Sequence, residues 1–426
     1  MPALHPRMCE RFGPWPRCPS ECSFQIPSFP RCGWIMVQEV RSLLGGTAHM
    51  DGRGLVRPWL AVVTLLAAML GGCDAVNDVF VCSVEAAFRA GTSSAPPPAD
   101  AVTVPAHVET EPVADPCDAA DDPAVWVNPD APDASLIVAT NKRRGLVVYG
   151  LDGGLLAQHD VGQTNNVDLR SMSPSPGQAE EAVALVAASN RSSDTVDILH
   201  LFADGRLVPQ RAIPAGFDGE SPYGLCLYQG PANLYAIATY KDGAVRQWRL
   251  AASADSLVRT LRVSSQVEGC VADDPAGALF VGEEDAGIWR FDAEPGGTTA
   301  PILVDAMRDA GGHLVADVEG LAIHAASDSA ESGHLVASSQ GNSSFILYDR
   351  SPPHSYRGSF RIGTGGVDEV TDTDGIAIAS TPLGPKFPTG LLVAQDGDNQ
   401  GPGGESLHQN FKLISWHKVT STVGGH

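Results

Sequence analysis

Acidic side chains recur through the chain beside short apolar runs, and their chemistry suits a site for metal ions. The residues are Asp121, Asp122, Glu268, Glu284, Asp317, Glu319, Asp374 and Asp396, with Asp368 and Asp372 close by. Packed together without counter-ions, such carboxylates would repel one another and hold protons. Oxygen ligands with no His or Cys nearby favour calcium over zinc or copper. No EF-hand loop is present, so the sequence predicts several calcium ions held by residues from separate segments.

Three basic side chains, Lys142, Arg191 and Lys241, accompany these acids. Taken singly, each is most often a solvated surface charge, just as a single Asp-Gly pair is most often a turn. Taken together they suit the oxygens of a polyanion, and Arg191 could bind two oxygens at once. Metal ions beside cations are what phosphoryl transfer to water requires. No nucleophile elbow, P-loop or covalent-phosphatase motif is found, so water activated by a metal is the predicted nucleophile.

Six copies of a strand, polar turn and strand unit must position these residues. In the aligned copies Lys142, Arg191, Lys241, Glu284, Gln340 and Asp396 occupy one equivalent position, at intervals of roughly 50 residues, which is typical of propeller blades. The copies are LIVATNKRRGLVVYGL from Leu136, LVAASNRSSDTVDILHLF from Leu185, LYAIATYKDGAVRQWRL from Leu234, ALFVGEEDAGIWRF from Ala278, HLVASSQGNSSFILYDR from His334, and GLLVAQDGDN from Gly390, completed by FKLISW from Phe411.

A second series of segments precedes these copies and is interpreted as the innermost strand of each blade. In four of them a polar residue stands directly before glycine, and glycine would let neighbouring backbone crowd the axis. Equivalent positions of successive blades lie on one circle, so the two series are expected to converge on one face. The segments are DDPAVWV from Asp121, NNVDLR from Asn165, PYGLCLY from Pro222, VEGCVAD from Val267, VEGLAIH from Val318 and TDGIAIA from Thr373. The sequence thus predicts an all-β fold, a six-bladed β-propeller over residues 106–420.

Composition agrees with this fold and limits the partners. Aromatic residues make up 6% of the chain, and 45 Gly with 32 Pro indicate many short strands and turns. The formal charge of −22 would repel nucleic acid and anionic membrane surfaces, so binding of a phosphate compound would need a cation between them. We predict no nucleic-acid partner and a monomeric protein.

The N-terminal part is interpreted as a lipoprotein signal peptide, residues 50–72, followed by a flexible spacer, residues 73–105. Arg53 and Arg57 precede an apolar run that ends in Leu70-Gly71-Gly72-Cys73, and Cys73 is the expected site of lipid attachment. The alternative for this run is a buried helix. Because a signal peptide belongs at a chain terminus, we expect translation to begin at Met50 and residues 1–49 not to be translated. The predicted location is the cell envelope, at the periplasmic or outer-membrane face, with release to the exterior as an alternative.

Four further cysteines, Cys82, Cys117, Cys226 and Cys270, are scattered without CxxC spacing. This spacing indicates neither a zinc site nor a disulfide framework. Cys226 and Cys270 lie in apolar strand runs, where small buried hydrophobic side chains are expected.

The chain resembles the β-propeller phytases, calcium-dependent 3-phytases that hydrolyse phytate (myo-inositol hexakisphosphate). The resemblance covers essentially the whole predicted propeller. It is carried by DAADDPAVWVNP from Asp118, TNKRRG from Thr140, NNVDLR, ASNRS from Ala188, SQVEG from Ser265, EEDAGIW from Glu283, DVEGL from Asp317, ASSQGNSS from Ala337, DTDGI from Asp372, VAQDG from Val393 and QNFK from Gln409.

This resemblance implies structural calcium ions, a cluster of catalytic calcium ions on one face, and a calcium-bound water that attacks phosphorus. It implies substrate phosphate contacts for Lys142, Arg191, Tyr223 and Lys241, and catalytic calcium ligands in Glu268, Glu284, Asp317 and Glu319. Further calcium positions are implied at Glu109, Asp122, Asp368, Asp374 and Gln340, with the carbonyls of Pro123 and Val167. Arg143 stands where the family often has lysine, and the loop before Asp368 is one residue shorter than in the family.

Three other functions remain open on the residues alone. One is a phosphatase of other small organophosphates. A second is a non-catalytic, calcium-binding propeller that binds partners through its rim. A third, a sugar-lactone hydrolase, would keep calcium without needing the phosphate-binding cations.

Overall fold

The computed structural model describes residues 95–172, 181–326 and 332–423. Residues 1–49, the predicted signal peptide at 50–72, Cys73, Cys82 and the first part of the predicted spacer lie outside these ranges. Within them, no helix is both long enough and apolar enough to cross a membrane.

Short strands make up most of the described chain, with one α-helix at its end. Two strands precede the blades: β1 (Val102–Pro105) and β2 (Val108–Glu109). Blade 1 contains β3 (Ala120–Trp126), β4 (Leu136–Asn141), β5 (Gly145–Gly150) and β6 (Leu155–Asp160). Blade 2 contains β7 (Thr164–Ser171), β8 (Ala182–Asn190), β9 (Thr195–Phe202) and β10 (Leu207–Pro214). Blade 3 contains β11 (Leu225–Gln229), β12 (Leu234–Thr239), β13 (Ala244–Leu250) and β14 (Ser256–Arg262).

The second half of the chain repeats the pattern. Blade 4 contains β15 (Val267–Asp273), β16 (Ala278–Glu283), β17 (Gly287–Asp292) and β18 (Ile302–Ala306). Blade 5 contains β19 (Val318–Ala325), β20 (Gly333–Ser339), β21 (Ser344–Asp349) and β22 (Tyr356–Gly363). Blade 6 contains β23 (Ile376–Ala379), β24 (Leu391–Asp396) and β25 (Asn410–Ser415), and α1 (Trp416–Val423) follows. Short 3-10 turns span Pro132–Ala134, Arg308–Ala310 and Gln340–Asn342.

Each blade is an antiparallel sheet of sequential strands, and the first strands β3, β7, β11, β15, β19 and β23 contact one another in a closed ring. The predicted all-β, six-bladed propeller and its innermost strands are therefore confirmed. The strand β2 completes blade 6 beside β25, which joins the two ends of the domain. Residues 102–105, although part of the predicted spacer, form β1 and pair in parallel with β22 of blade 5.

The apolar core is divided into six clusters, each between two neighbouring blades. Alternate residues of a strand face opposite sides, so each sheet packs against the blade before it and the blade after it. Tyr149 and Phe411, for example, pack blade 1 against blade 6 and close the circle. Burial of one such aromatic side chain stabilises the fold by about 1.5–3 kcal/mol.

Glycines at the entrances of the innermost strands allow this close packing, as predicted. A side chain at Gly224 would collide with the carbonyl oxygen of Glu268, and one at Gly269 with that of Glu319. Gly320 likewise faces the backbone at Asp374. Each blade therefore touches the next at the point where the candidate site residues lie.

The cysteine prediction is wrong for three residues, Cys117, Cys226 and Cys270. Cys226 of β11 and Cys270 of β15 form a disulfide between blades 3 and 4, and Cys117 is also disulfide-bonded. Sequence spacing missed the Cys226–Cys270 bond because the two strands become neighbours only when the blades close into a ring.

Candidate metal and phosphate site

Two structural positions supply the candidate site. The first is a β-bulge near the start of four innermost strands, which lies between Ala120 and Pro123, Thr164 and Val167, Val267 and Cys270, and Val318 and Leu321. A bulge leaves residues out of the regular pairing and changes the direction of their side chains. The bulges contain Asp121, Asp122, Asn165, Asn166, Glu268 and Glu319.

The second position is the turn that follows the second strand of a blade. Lys142, Arg191, Glu284 and Gln340 each directly follow that strand, and Lys241 lies in the turn of blade 3. Asp396 differs, because it is still the last residue of β24 and pairs with Asn410. The sequence alignment is therefore one residue out of register in blade 6, which is why Asp396 lies apart from the other turn residues.

Three glutamates converge near the propeller axis. Glu268, Glu284 and Glu319 are all buried, and one carboxylate oxygen of each lies within 4.8 Å of the others. Burial, then the neighbouring carboxylates, raises the pKa of Glu284 to about 8, and that of Asp317 to about 6. We call the group formed by Glu268, Glu284, Asp317, Glu319, Asp121 and Asp374 the axial cluster.

Lys142 enters the axial cluster from one side. Its ammonium group lies 2.9 Å from an oxygen of Asp118, 3.1 Å from one of Asp121 and 2.9 Å from one of Asp374. Burial acts to lower the pKa of Lys142, but these carboxylates outweigh it and raise the pKa. Gln340 donates a hydrogen bond to the other oxygen of Asp374. Asp374 thus receives a donor on each of its two carboxylate oxygens.

The axial cluster fits a hard cation. One buried oxygen of Glu319, Oε2, accepts no hydrogen bond from the described residues, and neither does Oδ1 of the buried Asn165. The Asn165 amide donates to Glu268 at 2.6 Å, and the Gln266 amide donates to Glu284 at 2.7 Å. Buried oxygen atoms left without donors beside acids of raised pKa are what an oxygen-coordinated ion such as calcium would satisfy.

Tyr223 and Lys241 border the glutamates. The Tyr223 hydroxyl lies close to Glu268, and burial, then the surrounding glutamates, raises the Tyr223 pKa well above its ordinary value. The Lys241 ammonium lies 4.3 Å from the centre of the Tyr223 ring. Among the described residues neither Lys241 nor Arg191 forms an ion pair, and Nε of Arg191 has no hydrogen-bond partner there. These two cations, unlike Lys142, keep their charge available to an anion.

Asp122 lines the central channel. Its Oδ2 accepts a hydrogen bond of 3.0 Å from the backbone of Val167 in the next blade. Asp122, Pro123 and Val167 line the channel, a cavity of about 220 Å³ along the axis. The structure therefore brings these three predicted ligands together, below the glutamates.

The remaining predicted ligands lie at the closure of blade 6. Glu109, Asp368 and Asp396 surround the fully buried Lys412, whose ammonium lies 2.8, 2.7 and 2.9 Å from their respective oxygens. We call these four residues the peripheral cluster. Sequence reasoning did not identify Lys412, and its place within a strand offered no signal beyond the QNFK motif. The role of the three acids as calcium ligands stays a prediction.

Sequence reasoning also missed Asp118, Asn165 and Gln266 as members of the site. Asp118 and Asn165 stand inside motifs that were recognised, DAADDPAVWVNP and NNVDLR, but their polar side chains could equally have been turn residues. The contact of Asp118 with Lys142 lies within blade 1, whereas that of Asn165 with Glu268 joins blade 2 to blade 4 and appears only in the folded ring.

The chain is similar to known proteins. A family model described as Phytase matches residues 78–426. The chain is 42% identical over 334 residues to the 3-phytase of Bacillus subtilis (strain 168), covering 75% of this chain and 85% of that protein. A solved β-propeller domain from Myceliophteria thermophila is 12% identical with a TM-score of 0.41, covering 71% of this chain and 99% of that one.

Proposed function

The chain belongs to the phytase family and is a phytase, and we propose that it releases phosphate from phytate in a calcium-dependent reaction at the axial cluster. The observation that carries this proposal is the convergence of three buried acids. Glu268 and Glu284 belong to blade 4, and Glu319 belongs to blade 5. Calcium dependence would explain how a protein of formal charge −22 binds a highly phosphorylated anion.

The residues that would hold calcium are Glu268, Glu284 and Glu319, with Asp317 and Asp374 beside them. When bound, calcium would neutralise these carboxylates, attract phosphate oxygens and activate water for phosphoryl transfer. Without an ion, their raised pKa values mean that some of these acids keep their protons near neutral pH.

The basic residues orient the substrate. Lys241 and Arg191 form no ion pair with a described acid, so they can bind phosphate oxygens from the rim. Tyr223 lies between Lys241 and Glu268, with its ring against the lysine and its hydroxyl close to the carboxylate. Lys142 forms ion pairs with three carboxylates. It would contact phosphate only when calcium binds some of those carboxylates in its place.

Phosphate release from phytate by the purified protein tests this function. We expect release with added calcium, loss of release with a chelator, and loss of release in Glu268→Ala. Glu369→Ala removes an exposed glutamate that lies outside the axial cluster. This variant serves as the control, with activity near wild type. A wild-type protein that releases phosphate equally well with chelator would overturn calcium dependence. Para-nitrophenyl phosphate as a second substrate separates a phytase from a phosphatase of other small organophosphates.

We also propose that the protein is an exported, monomeric lipoprotein anchored through Cys73. The Cys226–Cys270 disulfide supports export, because such bonds persist in oxidising compartments. Incorporation of labelled palmitate into the wild type but not into Cys73→Ala tests the anchor. Equal labelling of both proteins would contradict it.

A further inference from the structure

The Cys226–Cys270 disulfide lies directly behind the candidate calcium site. Its two cysteines are 2% and 9% exposed and line the central channel. Cys226 belongs to β11, just after Tyr223 and Gly224, and Cys270 belongs to β15, just after Glu268 and Gly269. The bond therefore joins the two strand entrances that carry a hydroxyl and a carboxylate of the site.

These two strands belong to different sheets, so no ladder of backbone hydrogen bonds fixes their relative position. Apart from the disulfide, the two strands pack in one apolar cluster, and the Gln229 amide at the end of β11 donates a hydrogen bond of 3.0 Å to Asp274, which follows β15. Close packing at Gly224 and a hydrogen bond of 2.8 Å from Thr239 Oγ1 of β12 to the carbonyl oxygen of Glu268 add to these contacts. Side-chain packing and isolated hydrogen bonds would allow small shifts between the strands. A covalent bond resists such shifts.

Glu268 is placed by a local irregularity of β15. Regular pairing with β16 stops at Val267 and resumes at Cys270, opposite Val281. Glu268 thus lies inside a β-bulge, whose backbone is less constrained than a regular ladder. The cysteine at which pairing resumes is the one that the disulfide ties to the neighbouring blade, so the bond fixes one end of the bulge.

We propose that the Cys226–Cys270 disulfide positions Glu268 for calcium, and that its loss lowers the calcium affinity of the axial cluster more than it lowers the turnover of the calcium-loaded enzyme. The inference rests on the proposed calcium dependence. Cys226 and Cys270 are positioning residues here, since they act through Glu268. Residues that orient a metal ligand typically change affinity by about 10–100-fold when they are replaced.

Calcium titration calorimetry on chelator-treated protein measures this effect without relying on activity. We expect Cys226→Ala/Cys270→Ala to bind calcium on the order of tenfold more weakly than the oxidised wild type. The calcium concentration for half-maximal phosphate release should rise in parallel, while kcat at saturating calcium stays within about twofold. If the double variant does not fold, wild type reduced after folding with dithiothreitol takes its place, with thiol titration to show that the bond is open.

Treatment of the double variant with dithiothreitol is the control for the other disulfide, that of Cys117. An effect confined to the wild type belongs to Cys226–Cys270. A lower melting temperature with unchanged calcium affinity would overturn the inference while leaving the proposed function intact. An oxidised wild type that neither binds calcium nor depends on it would overturn the proposed function, and this inference with it.

Discussion

A lysine meets three carboxylates in both acidic clusters of this propeller, yet the two regions differ in what lies around that lysine. In the peripheral cluster Lys412 is fully buried, and the amide oxygens of Asn399 and Asn410 at 3.0 and 2.9 Å complete its surroundings. In the axial cluster Lys142 pairs with Asp118, Asp121 and Asp374 while three further glutamates lie nearby. Lys412 balances much of the negative charge of the peripheral cluster. Lys142 balances the negative charge on only one side of the axial cluster.

The difference teaches that a group of acids does not by itself identify a metal site. At the periphery a lysine from the same sheet pairs with all three acids, and these contacts tie the chain ends together. Near the axis the excess of carboxylates, with raised pKa values and oxygen atoms that lack donors, leaves a role for an added cation.

The largest expected effect is on stability, from Lys412→Met. Removal of one partner from a buried ion pair leaves uncompensated charge and costs about 3–5 kcal/mol. Denaturant unfolding with calcium present should show this loss, whereas the folded fraction should keep most of its phytase activity. Lys418→Met is the matched control, because Lys418 is exposed on α1. Equal stability of the two variants would contradict the structural role of Lys412.

Next is a change within the axial cluster, Glu319→Gln, compared with Asp396→Asn at the periphery. We expect Glu319→Gln to weaken calcium binding by up to about 100-fold, since replacing even an orienting partner of a ligand costs tenfold or more. Asp396→Asn should mainly lower stability. Phytate hydrolysis at several calcium concentrations, together with unfolding curves, separates the two. Similar calcium dependence in both variants would contradict the assignment of calcium binding to the axial cluster and of a stabilising role to the peripheral cluster.

A smaller effect is expected where the blades crowd the axis. In Gly269→Ala the new methyl group meets the carbonyl oxygen of Glu319, and such overpacking costs about 1–3 kcal/mol. Gly296→Ala is the control, because no atom lies within 4 Å of the position that its side chain would take. Thermal unfolding checks the difference. If Gly269→Ala is as stable as Gly296→Ala, close packing does not hold the axial cluster together.

The smallest effect is proton release when calcium binds. The pKa of Glu284 is about 8 in the folded metal-free protein against an ordinary value of 4.5, so the folded form holds an extra proton between these values. The stability of the metal-free protein therefore falls as pH rises through this window, and calcium binding should release protons within it. Calorimetry in two buffers of different ionisation enthalpy at about pH 6 and about pH 9 checks this. Release that is equal at both pH values would speak against Glu284 as the titrating group.

Much of the site was predictable because propeller geometry converts sequence position into location. Glu268 and Glu319 stood before glycine in equivalent strands, and Glu284 and Lys142 stood at equivalent turns, so their convergence followed from the repeat. Asp396 shows the limit: a shift of one residue in a strand turns the side chain to the opposite face, and sequence similarity alone did not fix that register.

The sequence by itself determined the all-β class, the six repeats and the residue types of the site, because strand periodicity and turn chemistry are local properties. Only the tertiary structure decided which acids share a cation. It placed Lys412 among Glu109, Asp368 and Asp396, and it bonded Cys226 to Cys270 across two blades. The physical reason is that charge balance and covalent pairing depend on distances of a few ångströms between segments far apart in the chain, which closure of the ring sets.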